Sequence, residues 1–343
     1  MLGVDNKCML LGGTAVLMYF MWMDIALWYH LQALKPNEVV SAASPSISFS
    51  MFHPITVKLL LTDPTNHYIF TPACHVFTQV TRFTEVCSWV TPNMISVLRL
   101  VVVLPAMRLL LSESAALRQA GILVVLLGEW MDALDGFVAR LRSSSQAVTS
   151  EVGTLGYYMD GVCDGISCAM LMLTCLAYLR RHPPRQSDLS LQLPVICSKV
   201  EPRPSESKEA LLGGGGGGGS STGPRLPVPP RLLLINILLF SGQLLLTSVG
   251  WNHAVTGYQR ELQNADGSHT ARQLTVLKAS TTWILMWFWR VACFHSMLHC
   301  FIIAVLFNKM WEFIIAVRYI GYVALLALII LNEVHLQTIV LYF

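Results

Sequence analysis

Long runs of apolar residues alternate with shorter polar segments along most of the chain. A helix needs about 20 apolar residues to cross the hydrocarbon core of a bilayer, and it satisfies its own backbone hydrogen bonds there. Runs of about this length cover residues 8–29, 94–111, 119–138, 157–179, 232–249, 282–307 and 311–331. The pattern therefore predicts an all-α, polytopic membrane helical bundle with a six-span core and one additional amino-terminal span.

The amino-terminal part divides into an anchor and a mixed segment. Residues 1–30 lack the small-residue cleavage site of a signal peptide, so we expect a retained membrane anchor. Residues 31–90 are expected to form a lumenal or interfacial segment. Apolar residues recur in it at steps of three and four, which predicts an amphipathic helix lying on the membrane surface or packed on the bundle. These residues are Val76, Phe77, Val80, Phe83, Cys87 and Val90.

Two internal segments are too polar to span a membrane. Residues 181–230 contain several prolines and seven consecutive glycines, Gly213 to Gly219, a composition typical of a flexible loop. Residues 252–278 are interpreted as a second polar loop.

Composition narrows the classes of protein that fit this pattern. Hydrophobic residues make up 54% of the chain and charged residues 13%, whereas soluble domains carry roughly 25% charged residues. A soluble globular enzyme is therefore excluded. The net charge of +3 is too small for a protein that binds nucleic acid through its charge. None of the nine cysteines forms a CxxC pair, so the sequence predicts no zinc or thioredoxin-like site.

Four aspartates lie at the facing ends of the third and fourth predicted spans. Asp132 and Asp135 are three residues apart and Asp160 and Asp164 four apart, so each pair lies on one helix face. The connector 141–156 is short enough to make the two spans antiparallel neighbours. Carboxylates that converge in this way repel one another, and divalent cations such as Mg²⁺ or Mn²⁺ relieve the repulsion. An ion-coupled transporter could also use such aspartates, as a proton relay.

Other polar residues in apolar runs leave alternatives open. Arg290 could meet a lipid phosphate or form an ion pair, and Glu129 could support Asp132 from behind. His295 and His299 share a helix face and could be a metal pair or interhelical hydrogen-bonding residues. Gly161 and Gly165 are interpreted as packing residues. The expected structural partners are Asp24, Arg99 and Arg318.

The aspartates belong to a longer motif. The sequence Asp132-x2-Asp135-Gly136-x2-Ala139-Arg140, followed by Gly156-x3-Asp160-x3-Asp164, resembles the signature of the CDP-alcohol phosphotransferases. The resemblance covers roughly residues 91–335, with the loop 181–230 as an interruption. Its spacer holds 15 residues, 141–155, where the family usually has eight. This longer spacer and the extra amino-terminal span resemble the invertebrate ceramide phosphoethanolamine synthase branch.

The resemblance implies a role for each residue of the motif. The four aspartates Asp132, Asp135, Asp160 and Asp164 would hold two divalent ions, Mn²⁺ or Mg²⁺. Asp164 would also be the catalytic base that takes the proton of the acceptor hydroxyl. The residues expected to line the cytidine diphosphate pocket are Gly136, Ala139, Arg140 and Gly156.

The resemblance also implies a reaction. Phosphoethanolamine would pass from CDP-ethanolamine to ceramide within the lipid bilayer, with release of CMP. Two related reactions share the aspartates and stay open: transfer from CDP-ethanolamine or CDP-choline to diacylglycerol, and transfer from CDP-diacylglycerol to a small alcohol. The resemblance leaves a homodimer open as well.

The distribution of basic residues predicts the orientation. Seven of them flank span ends on the side away from the motif and four on the motif side, so the positive-inside rule places the motif in the lumen. A lumenal site suits an acceptor available in the Golgi, although the endoplasmic reticulum is an alternative location. The residues away from the motif are Arg118, Arg180, Arg181, Arg185, Arg225, Arg231 and Lys309, and those near it are Arg142, Arg260, Arg272 and Lys278.

Overall fold

The computed structural model describes residues 2–35, 52, 55–142, 155–184, 227–262 and 270–342. Within these ranges the chain forms a bundle of helices, which confirms the predicted all-α, polytopic membrane architecture. Helices before the core are α1 (Leu2–Ala33), α2 (Val57–Leu61), a π-helix (Asn66–Phe70), α3 (Thr71–Thr81) and α4 (Phe83–Val86). Helices of the core are α5 (Pro92–Leu110), α6 (Ala115–Arg142), α7 (Leu155–Arg181), α8 (Pro230–Leu262), α9 (Thr270–Lys278), α10 (Ser280–Ala292), α11 (Phe294–Leu306) and α12 (Met310–Tyr342).

Five of these helices are long and apolar enough to cross a membrane, and α10 with α11 makes a sixth if the bent pair is one span. The seven predicted spans therefore differ from the structure at α6, which is 28 residues long but is not among those helices. Glu129, Asp132 and Asp135 all lie in its second half. Helix α6 is long enough to cross the bilayer. Because of its carboxylates, however, it needs polar partners on neighbouring helices to do so.

The sixth predicted span is broken in the middle. Helices α10 and α11 meet at a 42° bend, and Cys293 between them has an extended backbone. The hydroxyl of Ser296 donates a hydrogen bond of 2.8 Å to the carbonyl of Arg290 and so satisfies one backbone group that the break exposes. The break places Arg290 and His295 on separate helices, α10 and α11.

The core helices pack closely enough to exclude larger side chains at one crossing. A Cβ atom built on Gly128 of α6 would lie 2.5 Å from Val103 Cγ2 of α5. Helix α5 also contacts α7, so it lies beside both helices that carry the aspartates. The main apolar core joins these three helices to α8, α11 and α12.

A second apolar cluster attaches the amino-terminal helices to the bundle. Leu27 and Leu31 of α1 pack with α2, α8, α10 and α12 and are fully buried. Residues 11–19 of α1 are exposed, with Leu11 at 70%, and so is Trp22 at 71%. Helix α1 therefore rests on the bundle through its carboxyl-terminal half.

The predicted amphipathic helix of residues 76–90 packs on the bundle. Helix α3 ends at Arg82, whose φ of 49° is left-handed, and α4 follows. Phe77 and Phe83 pack against the buried residues of α6, whereas Val76 and Val80 are exposed. Of the two alternatives, packing on the bundle applies to this segment.

The prediction of a polar loop at residues 252–278 is wrong. Helix α8 continues to Leu262 and α9 occupies Thr270–Lys278. The hidden helical face of α8 carries Ala254, Val255, Tyr258 and Leu262, all buried. The glycine run Gly213–Gly219 and most of the spacer 141–155 lie outside the described residues.

Candidate active site

The four aspartates of the motif come together between α6 and α7. Ligand oxygens of Asp132, Asp135 and Asp160 lie within 4.8 Å of one another, so they could hold a metal ion. Ligand atoms of Asp132, Asp164 and His295 form a second such group. Because Asp132 belongs to both groups, the two candidate positions are neighbours that share a carboxylate.

Helix α5 supplies the partners of these carboxylates. Arg99, which is 1% exposed, donates hydrogen bonds from Nη1 to Asp132 Oδ1 and to Asp164 Oδ1. Its Nη2 lies 3.3 Å from Glu129 Oε1. Ser96, one turn earlier, donates to Asp135 Oδ2 at 2.5 Å. The sequence had suggested that Arg99 is only a structural partner. The structure places it in the site.

The sequence did contain a signal for these two residues. Ser96 and Arg99 are three positions apart in an otherwise apolar run, so they share one helix face. An arginine inside a membrane span needs a polar partner, and carboxylates in the next two spans were available.

The residues expected to line the nucleotide pocket lie beside the aspartates. A Cβ atom on Gly136 would lie 3.4 Å from Arg140 Nη1, and one on Gly156 would lie 3.5 Å from Asn93 Oδ1. Ala139 and Arg140 are exposed. Both distances are ordinary van der Waals contacts, and the nucleotide role of these four residues stays a prediction.

Gly161 and Gly165 differ from their expected role. A Cβ atom on either of them meets no described atom within 4 Å. Their interpretation as packing residues is therefore wrong for the part of the chain that the structure describes. The face of α7 that follows Asp160 and Asp164 is open.

Lys58 of α2 adds a positive charge that the sequence did not predict. The pKa of Lys58 is lowered, first by desolvation from the protein atoms around it, although the residue as a whole is exposed, and second because Arg140 repels it. The carboxylate of Asp160 acts in the opposite direction. Lys58 and Arg140 thus form a basic pair near Asp160, which suits a ligand with phosphate groups.

Two histidines of α11 extend the site away from the aspartates. His295 Nδ1 lies 3.7 Å from Glu129 Oε2, and His299 Nε2 lies 3.9 Å from the same oxygen. On its other side, His299 Nδ1 lies 3.8 Å from Asp63 Oδ1. These distances exceed hydrogen-bond length. His295 belongs to the aspartate group because its ligand atom lies with those of Asp132 and Asp164. His299 is outside that group and lies between Glu129 and Asp63.

Arg290 forms an ion pair, one of the two alternatives that the sequence left open. Its Nε lies 3.2 Å from Asp24 Oδ1 of α1, and its Nη2 lies 2.9 Å from His67 Nδ1. Asp24 also accepts hydrogen bonds from Tyr68 at 2.7 Å and Trp287 at 3.0 Å. This buried network joins α1 to α10, one turn before the break that positions His295. Arg318, in contrast, donates to Asn236 at 2.6 Å and is a structural residue.

Comparisons with known proteins found relatives that cover most of the chain. A family model described as ceramide phosphoethanolamine synthase matches residues 5–212 and 221–342. The ceramide phosphoethanolamine synthase of Drosophila melanogaster is 36% identical over 284 residues, which is 82% of this chain and 68% of that protein. No solved structure matches the chain at a significant level. The match of sequence across both the amino-terminal helices and the aspartate core means that the chain belongs to the ceramide phosphoethanolamine synthase family.

Proposed function

We propose that this protein is an integral membrane transferase that moves phosphoethanolamine from CDP-ethanolamine to the primary hydroxyl of ceramide. The products are ceramide phosphoethanolamine and CMP. The observation that carries the proposal is the convergence of Asp132, Asp135, Asp160 and Asp164 in a chain of this family. A transporter needs no such cluster beside exposed glycines and a basic pair suited to phosphate.

The donor atoms of the cluster fit divalent cations. All four aspartates offer hard oxygen ligands, which Mg²⁺ and Mn²⁺ prefer. Five buried or half-buried carboxylates, counting Glu129, lie in or beside the cluster, and Arg99 pairs with three of them. The negative charge left over is what two divalent ions would neutralise. When bound, such ions stabilise the charge on the transferring phosphate and on the leaving group.

The residues of the chain then have separate tasks. Lys58 and Arg140 would bind the diphosphate of the donor at the mouth of the site. Asp164 would accept the proton of the ceramide hydroxyl at its carboxylate as the new P–O bond forms. The bond between the transferred phosphorus and the oxygen of CMP breaks in the same displacement, and the electron pair leaves with CMP.

Reconstitution tests the reaction directly. The chain would be produced by cell-free expression in liposomes and offered CDP-ethanolamine or CDP-choline, each with ceramide or diacylglycerol. We expect ceramide phosphoethanolamine as the main product by mass spectrometry, with loss of turnover in chelator and recovery on addition of Mn²⁺ or Mg²⁺. If products formed only from diacylglycerol, the acceptor would be diacylglycerol and not ceramide. Full activity in chelator would contradict the metal site. The control variant is Glu312→Gln, which removes a partly exposed carboxylate paired with Lys309 and should keep the turnover of wild type.

We further propose that the site faces the lumen of the Golgi. Arg180 and Arg181 end α7 opposite the aspartates, and basic residues at span ends resist translocation. CDP-ethanolamine is made in the cytosol, so this orientation requires a carrier for it. An epitope inserted in Gly213–Gly219 should be accessible to antibody in sealed vesicles. Protection of that epitope until detergent is added would place the aspartates on the cytosolic face. A homodimer stays a prediction that cross-linking in membranes can test.

A further inference from the structure

The deeper end of the site holds polar atoms that the transfer of phosphate does not use. Glu129 Oε2 and both ring nitrogens of His299 have no hydrogen-bond partner among the described residues. Glu129 is 5% exposed and His299 is 6% exposed. A buried polar atom without a partner is unfavourable, so such atoms in a native site call for a partner outside the chain: a water, an ion or a ligand.

Each ring nitrogen of His299 lies beside a carboxylate. Nδ1 faces Asp63 Oδ1 at 3.8 Å, and Nε2 faces Glu129 Oε2 at 3.9 Å. Asp63 is fixed by the backbone N–H of Asn66 at 2.9 Å and the Asn66 amide at 2.7 Å. A neutral imidazole carries one N–H and can donate to only one of the two carboxylates. With the proton on Nδ1, toward Asp63, the Nε2 lone pair and Glu129 Oε2 are two acceptors on one side of the ring, where His295 Nδ1 also lies 3.7 Å from that oxygen.

The ligand that fits two acceptors is a cation with several N–H donors. A primary ammonium carries one positive charge and three donors. Donation at about 2.8 Å to two acceptors in a tetrahedral arrangement holds those acceptors about 4.6 Å apart. Oε2 and Nε2 would therefore need to separate by less than an ångström, which a small rotation of either side chain provides.

The position of this space relative to the aspartates suits a short headgroup. Glu129 precedes Asp132 by three residues, a rise of about 4.5 Å along α6. The two-carbon arm of ethanolamine spans a comparable distance between its oxygen and its nitrogen. The side chains of Asp164 and His295 are 22% and 28% exposed, whereas those of Glu129 and His299 are 6% and 7% exposed. Burial therefore increases from Asp164 and His295 toward Glu129 and His299.

We infer that Glu129 and His299, with Asp63 behind them, form the subsite for the primary ammonium of the donor. This inference rests on the proposed function and names the headgroup that the same site selects. A trimethylammonium group has no N–H to donate and is larger. The ring of Phe70 lies edge-on to His299 with centroids 5.7 Å apart and limits the space on that side. The subsite therefore favours ethanolamine over choline.

Binding measurements on the purified full-length protein test the subsite. CDP and CDP-ethanolamine would be titrated against wild type, His299→Ala, Glu129→Gln and the control His253→Ala, whose imidazole is exposed and pairs with Glu333. We expect His299→Ala and Glu129→Gln to lose about tenfold or more in affinity for CDP-ethanolamine, as for other hydrogen bonds to charged groups. Affinity for CDP, which has no ammonium, should stay unchanged in His299→Ala, whereas Glu129 also pairs with Arg99, so only the ratio of the two affinities is compared for Glu129→Gln.

A graded series of donors gives a second measurement. Wild type should show a stepwise rise in KM from CDP-ethanolamine through its N-methyl and N,N-dimethyl forms to CDP-choline. In His299→Ala the differences in KM between these donors should become smaller, because the variant lacks the ring nitrogen that accepts an N–H of the headgroup. Mn²⁺ affinity should match that of wild type.

Three results would overturn the subsite: unchanged CDP-ethanolamine affinity in His299→Ala, equal losses for CDP and CDP-ethanolamine, or a parallel loss of Mn²⁺ affinity. The binding titrations judge the subsite without any turnover. A wild-type protein that prefers CDP-ethanolamine over CDP but makes no ceramide phosphoethanolamine would refute the proposed function alone.

Discussion

Arg99 lies where divalent cations would bind, and this position makes a measurable prediction. The guanidinium bonds to Asp132 and Asp164 and lies 3.3 Å from Glu129. The substitution Arg99→Gln removes the positive charge and keeps a polar side chain of moderate length. Three carboxylates then lose their shared partner in a site that water reaches poorly.

The size of the effect follows from this burial. Removal of one partner of a buried ion pair costs about 3–5 kcal/mol, because the remaining charge stays uncompensated. A divalent ion that occupies the same oxygens should offset much of this cost. Metal at 100 times its Kd stabilises a folded protein by about 2.7 kcal/mol. Because the guanidinium no longer competes for Asp132 and Asp164, we expect the variant to gain at least about 1.4 kcal/mol more from metal than wild type does, a tenfold difference in affinity.

Thermal unfolding in nanodiscs measures this difference. Wild type and Arg99→Gln would be compared in chelator and in saturating Mn²⁺, and Mn²⁺ affinity would be titrated separately. Arg318→Gln is the matched control, because Arg318 is also buried but pairs with Asn236 on α8. Its destabilisation should be the same with and without metal.

The reasoning fails if metal stabilises Arg99→Gln and wild type equally. It also fails if the variant binds Mn²⁺ more weakly, since Arg99 would then support the metal site and not compete with it.

Three further predictions follow from the same packing. Asp164→Asn should insert and fold but lose turnover by orders of magnitude, and retention of more than a tenth of the rate, only about 1.4 kcal/mol, would remove it from the mechanism. Gly128→Val should lower the free energy of unfolding by about 1–3 kcal/mol through overpacking, whereas Gly161→Ala should be neutral by the same thermal assay. Asp24→Asn should destabilise by about 3–5 kcal/mol because it leaves Arg290 unpaired, and a double variant with Arg290→Gln should recover part of that loss in a double-mutant cycle.

The aspartates could be found from the sequence because their spacing is local. Steps of three and four residues fix a helix face, and a short connector makes two helices neighbours. Arg99 and Ser96 were not assigned to the site, because their partners lie on another helix and no spacing rule connects them. The same limit applies to Asp24 and Arg290, which are far apart in the chain and meet only through tertiary packing.

The helices at residues 252–278 show a different limit. Average polarity suggested a loop, although Ala254, Val255, Tyr258 and Leu262 follow a helical period and are buried. Periodicity was the better guide there. For α6 the periodicity was not sufficient. Its apolar first half suggested an ordinary span, but the carboxylates of its second half are stabilised by partners on other helices, Arg99 among them.

The composition of α6 has a consequence for how the protein is made. An aspartate near the centre of a membrane helix raises the free energy of translocon insertion by roughly 2.5–3.5 kcal/mol, and α6 has several carboxylates. Helix α5 precedes it by a turn of four residues, 111–114, and carries the cation that neutralises two of them. The two helices are thus suited to leave the translocon together as a hairpin, in which Arg99 meets Glu129 and Asp132 before α7 is synthesised. Arg99, which later lies among the carboxylates of the motif, would first act as an insertion partner, so its loss should already appear as reduced membrane integration of the nascent chain.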